Sequence, residues 1–232
     1  MKHRNSHRSS IIGRTAGRLG VLSGACLAAL AVAAPADAVP FSSHPGRGVA
    51  AFADRATTHA NRVHPDQYED SFTVHELGTV FSVAANNRAT AVSTGCSSQH
   101  PCRSIALSFQ IVTMAGDDVR LNATNLGRAV NEQCPGCQTL AGAYQFIVST
   151  AQPFALSPAA KSQLAAVHRR LDALDTSNDP VPVVKQRADD LAAQVKAILD
   201  REASSAPRGG APGLAAKSGP SVTMHRHYDG AN

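Results

Sequence analysis

Apolar residues recur at helical spacing through the last third of the chain. Ala160, Leu164, Val167, Leu171 and Leu174 follow one another at intervals of four and three, and Val184, Ala188, Leu191, Val195 and Ile198 repeat the stripe. Ser157-Pro158 sets a cap residue before a proline in the first turn, and Ser177-Asn178-Asp179-Pro180 supplies a turn between the stripes. Two helices of matching length joined by a short turn predict an antiparallel helical hairpin over 151–202. Such a stripe can also pair two chains, so self-association through the hairpin is an expectation.

The centre of the chain has a different order, because it occurs twice. CRSIALSFQIV from Cys102 lies over CQTLAGAYQFI from Cys137, pairing Ile105 with Leu140, Ala106 with Ala141, Phe109 with Tyr144 and Gln110 with Gln145. The match extends backwards, with Asn87 over Asn125, Ala91 over Ala129, Val92 over Val130 and Cys96 over Cys134. A duplicated unit is an architectural signal. Its period is ambiguous. Ile105, Leu107, Phe109 and Ile111 alternate like a strand, while Ile105, Ala106, Phe109, Val112 and Thr113 fit one helical face. Thr124 reads as an N-cap before NLGRAVNEQ, and Ala141-Gly142-Ala143 are poor strand formers, so helix is the common expectation.

Upstream, Phe72 and Val74, then Val80, Phe81 and Val83, separated by Gly78, predict a small β hairpin. Residues 39–70 lack a clear period and read as a flexible lead-in; 203–232, rich in Gly, Pro and Ser, read as a disordered tail. The expected fold class is mainly α, an α+β arrangement with a minor β hairpin. In it a duplicated cysteine-pair domain at 71–150 precedes the helical hairpin.

Composition changes this picture at the N-terminus. Lys2, Arg4, Arg8, Arg14 and Arg18 precede an apolar run from Val21 to Ala34, and Ala36-Asp37-Ala38 fits a small-x-small cleavage site. Residues 1–38 therefore read as a signal peptide cut after Ala38, with the product secreted or held at the cell envelope. The run is shorter than the about 20 residues of a spanning helix, so no stable membrane insertion is expected after cleavage. The formal charge of +5 sits mostly in that leader, which carries five basic residues and one acid. The remainder is close to neutral, which argues against nucleic acid as a partner.

Four cysteines remain: Cys96, Cys102, Cys134 and Cys137. An even number in an exported chain favours disulfides, and the duplication favours Cys96 with Cys102 and Cys134 with Cys137. Two alternatives use the same residues. Cys134-Pro135-Gly136-Cys137 has the spacing of a thiol–disulfide oxidoreductase, if Cys137 opens a helix that lowers a thiolate pKa. Four thiolates could instead hold a structural zinc ion. His75-Glu76-Leu77-Gly78-Thr79 carries half of a helical zinc-peptidase motif, with Thr79 where the second His belongs, so no catalytic residue and no metal ligand is assigned there. His225 and His227 stand in the tail. Gln110 and Gln145, recurring in an apolar stripe, are expected as buried amides bonded to the neighbouring unit. Asn87 and Asn125 are expected in caps or turns, and Asn122-Ala123-Thr124 matches a glycosylation acceptor.

The pattern Asn-x3-Ala-Val-x3-Cys-x2-Cys-x-Thr-x-Ala-x3-Gln followed by a helical hairpin resembles the extracytoplasmic domain of bacterial chains labelled peptide zinc metalloprotease proteins, and secreted bacterial proteins that share it. The resemblance covers about residues 73–199. It implies an envelope-facing, cysteine-stapled domain. The peptidase label implies a zinc-binding motif on membrane helices, and this chain carries no such motif. The functional expectation is a non-enzymatic binding module, without cofactor, whose partner is an envelope or extracellular protein.

Overall fold

Strands, not helices, occupy the repeated region. The computed structural model describes residues 41–44, 48–116, 118–207 and 219–231, and the signal-peptide expectation lies outside them. In chain order the elements are β1 (Phe41–His44), β2 (Gly48–Ala60), β3 (Asp66–Thr94), β4 (Arg103–Ala115), β5 (Arg120–Glu132), β6 (Gln138–Thr150), α1 (Pro158–Asp172), α2 (Val181–Ser205) and β7 (Ser221–Ala231). Seven strands against two helices overturn the expectation of a mainly α fold.

The repeats stack as the coils of a parallel two-sided solenoid. An outer sheet runs β2, the second half of β3, then β5, all parallel. An inner sheet runs β1, the first half of β3, β4 and β6 in parallel, and β7 closes it antiparallel to β6. Each coil supplies one outer and one inner strand. The offset legible in the sequence is the strand register itself. Phe109 lies beside Tyr144, Gln110 beside Gln145, Asn87 beside Asn125 and Val92 beside Val130. A third, weaker copy precedes these two. Asp54-Arg55-Ala56-Thr57 of β2 stacks residue for residue on Asn87-Arg88-Ala89-Thr90, and Phe72 stacks on Phe109.

Helix loses in these copies because both faces of the inner sheet are buried. Ile105, Leu107, Phe109 and Ile111 face the helices with Phe72, Val74, Leu140, Tyr144, Phe146 and Val148. The alternate positions meet the outer sheet through small side chains, with Ala56, Ala89, Ala91, Ala106, Ala141 and Ala143 in one cluster. A strand buried on both sides reads as a continuous apolar run, which periodicity cannot separate from a helix. Alanine is a poor strand former in isolation, but here it lets two sheets approach closely, and packing overrides propensity. Gly127 of β5 shows how close. A Cβ there would lie 2.8 Å from the Ala141 carbonyl oxygen and 3.0 Å from that of His227, and backbone cannot step aside.

Two further expectations are corrected. The hairpin around Gly78 does not form: β3 continues through it without reversing, passing from inner to outer sheet across an irregularity between Glu76 and Thr79. Thr124 caps no helix and lies in β5, paired with Asn86. Order also reaches beyond the expected bounds. β2 and the start of β3 are strand inside 39–70, and β7 is strand inside 203–232. Their alternation is sparse in large apolar residues, so composition reads them as loose, whereas neighbouring coils supply the missing surface.

The helices form the third layer. Ser157 caps α1 by accepting from the Ala160 amide at 3.1 Å, with Pro158 at the first turn. Leu164, Val167 and Leu171 of α1 and Val184, Ala188, Leu191, Val195 and Ile198 of α2 are buried in one core with the inner sheet. Ser157 meets Glu202 and Arg170 meets Gln194, so the two helices run antiparallel. Their stripes are covered within the chain, where they pack on the inner sheet. Among the described residues, no helix is long and apolar enough to cross a membrane.

Candidate functional site

Three places collect the residues with chemical potential: the polar layer between the sheets, the cysteine corner and the outer face of the outer sheet. The polar layer comes first because the recurrent glutamines and asparagines lie there. Gln145 Nε2 donates to Gln110 Oε1 at 2.7 Å and to the Ala85 carbonyl at 3.2 Å, and Gln110 Nε2 donates to Asn86 O at 2.9 Å. Asn87 Nδ2 donates to Asn125 Oδ1 at 2.9 Å and to the Tyr144 and Ser108 carbonyls. These amides form ladders along the coil axis, so Asn87 and Asn125 are interior ladder residues and not caps.

The first coil ends both ladders differently. Asp54 takes the asparagine position, and its Oδ2 accepts from Thr73 Oγ1 at 2.6 Å, His75 Nε2 at 2.8 Å and Gln110 Nε2 at 2.6 Å. Burial alone would raise the Asp54 pKa. The hydrogen bonds from His75, Thr73 and Gln110, with the His75 charge, outweigh burial and hold it below the usual carboxylate value. His75 stacks on Phe52 with ring centroids 3.9 Å apart. Glu76 points the other way, pairing with Lys161 Nζ at 2.6 Å and accepting from the Leu156 amide at 2.7 Å. The half-motif His75-Glu76 therefore divides between two faces of one strand, where period-two alternation separates neighbours. It ties the sheets and helices together.

The four cysteines lie at one corner, where the second and third coils turn from outer to inner sheet. Cys96 bonds to Cys102 and Cys134 to Cys137, each unit closing its own loop. The loops stack: Cys102 N donates to Cys137 Sγ at 3.1 Å and Gln138 N to Cys102 O at 2.8 Å. All four sulfur atoms lie within 4.8 Å of one another and all four residues are buried. The first coil turns the same corner without cysteine, with Asn61 Oδ1 accepting from the Val63 and His64 amides. Cys137 leads into β6 and not into a helix, so the helix terminus that would activate a thiolate is absent from this motif. Beside the corner lies an open cleft of about 440 Å³ lined by Arg62, Pro65, Ser97, His100 and Cys102.

The outer face of the outer sheet carries exposed side chains of β2, β3 and β5. β2, the second half of β3 and β5 turn alternate side chains outward, and Arg55, Arg88, Arg120 and Arg128 are exposed there. Arg55 lies beside Arg88, and Arg128 lies beside Thr90 one outward position along. None of these arginines joins an ion pair among the described residues. Glu132 is the single acid in the outward positions of these strands. Net charge conceals this face, because it counts charges without placing them. The repeat of Asp54-Arg55-Ala56-Thr57 as Asn87-Arg88-Ala89-Thr90 was its legible signal.

His225 and His227 have structural roles in β7. The His225 carbonyl accepts from Asn125 Nδ2, His227 Nδ1 accepts from the Gly127 amide at 2.9 Å, and Asp229 Oδ2 accepts from the Ala129 amide at 2.9 Å. β7 thus satisfies donors of β5 while pairing with β6. Asn122 lies exposed on β5. Compared with protein families, curated proteins and solved structures, the chain matches no family model, no curated protein and no solved structure.

Proposed function

We propose that this protein is an exported, non-enzymatic binding module that docks an anionic component of the envelope through its outer sheet. The observation carrying the reading is the row of Arg55, Arg88 and Arg128, exposed and without ion pairs among the described residues, on one parallel sheet of a nearly neutral domain. Guanidinium groups present planar forks that match phosphate and carboxylate, and a rigid sheet holds them at fixed spacing with little ordering cost on binding. The interior polar residues support a structural role, since their hydrogen bonds are made within the fold.

The test is titration of the mature chain with polyphosphate, followed by calorimetry at rising salt. Binding should weaken steeply as salt screens it. Each of Arg55→Gln, Arg88→Gln and Arg128→Gln should weaken it about tenfold. Equal affinity in the triple variant, or no binding by the parent, refutes the reading.

The convergence of four buried sulfur atoms within 4.8 Å favours one second reading, a structural zinc site formed by the cysteines in place of the disulfides. Intact mass of the protein from its native host, alkylated with and without prior reduction, separates the two. Alkylation of all four thiols only after reduction supports the disulfides, and free thiols before reduction support zinc.

A further inference from the structure

A second cluster lies on the opposite side of the inner sheet. His168 and Asp172 stand one turn apart on α1, and Asp70 reaches them from β3. His168 Nε2 is 3.2 Å from Asp70 Oδ2 and 3.3 Å from Asp172 Oδ1, and all three ligand-type atoms lie within 4.8 Å of one another. The Asp70 side chain is 7% exposed, and its Oδ2 accepts no hydrogen bond among the described residues. Two ligands bound about 2.1 Å from one metal ion sit about 3.0–3.4 Å apart, and His168 Nε2 lies at that spacing from both carboxylate oxygens.

From this geometry we propose that Asp70, His168 and Asp172 bind a divalent transition-metal ion, zinc or one of similar size. One imidazole and two carboxylates suit such an ion and neutralise its charge. Phe72 stacks on His168 at 5.2 Å and fixes the ring. Asp172, 39% exposed, opens the site to solvent, so water completes the coordination shell. The metal would clamp α1 to β3, joining the helical layer to the first coil.

The test uses the oxidised mature chain without an affinity tag, so that its thiols cannot bind metal. After treatment with chelator, calorimetry with zinc should give one site per chain and a raised thermal midpoint. Asp172→Asn, at the open side of the site, should fold and weaken zinc binding about a hundredfold, with Asp70→Asn and His168→Gln doing the same. Cobalt should give visible bands without a thiolate charge-transfer band. Absence of zinc binding by the parent overturns the proposal, as does unchanged binding in Asp172→Asn.

Discussion

At the scale of single residues, the position that departs from its repeat carries the most specific chemistry. Asp54 stands where the later coils have Asn87 and Asn125, and its carboxylate gathers Thr73, His75 and Gln110. Its pKa is held below the usual value, so the folded state binds this proton less readily than the unfolded state. The resulting stability is present above the unfolded pKa of about 3.9 and is lost as pH falls through the lower folded value. Urea midpoints measured from pH 7 to pH 2 should therefore fall more steeply in the parent than in Asp54→Asn at the acid end. At neutral pH the variant should be less stable by about 1–3 kcal/mol, because the donors around it lose a charged acceptor. Parallel curves would show that the contact contributes nothing. Of this site the recurrent glutamines were legible, since an amide repeating in an apolar stripe points to a buried ladder. Asp54 and His75 were not, because their partners lie on other strands.

At the scale of elements, β7 decides whether the solenoid ends safely. It covers the long edge of β6 and offers His227 and Asp229 as acceptors to amides of β5. Uncapped coils expose strand edges that recruit further chains, which is why repeat proteins end in atypical units. Truncation after Pro207 removes this cap. Light scattering should then show association that grows with protein concentration, alongside a lower thermal midpoint. A truncated chain that stays monomeric and melts like the parent would rule out the capping role. The helical hairpin stood plainly in the sequence, since a 3.6-residue stripe, a Ser-Pro start and a proline-bearing turn are local features. What its stripe packs against was not local. It covers the inner sheet, and the aromatic ladder of Phe72, Phe109 and Tyr144 lies beneath it.

At the scale of the whole molecule, the coils share one core, so no single staple should hold the fold. Each disulfide closes a short loop, with sequence separations of 6 and 3, and short loops restrict the unfolded chain least. The chain-entropy account assigns about 2 kcal/mol to each. Reduction of the oxidised protein should therefore lower the thermal midpoint while the far-ultraviolet signature of the strands persists. Complete loss of structure on reduction would mean that the corner, and not the stacked sheets, dominates stability.

The sequence by itself determined the elements whose signals are periodic over short range and the alignment of one copy with the next. The helical hairpin came from a stripe, and the pairing of Phe109 with Tyr144, Gln110 with Gln145 and Asn87 with Asn125 came from duplication. Those pairings proved to be strand register, because similar units in a parallel stack place like residues side by side. The tertiary structure alone decided that the units are strands. Residues such as Ala141, Gly142 and Ala143 have no strand preference of their own, and become strand because two sheets must meet across a narrow layer. It alone also decided which polar residues turn inward and which arginines face out, since a coil brings together positions that lie far apart along the chain.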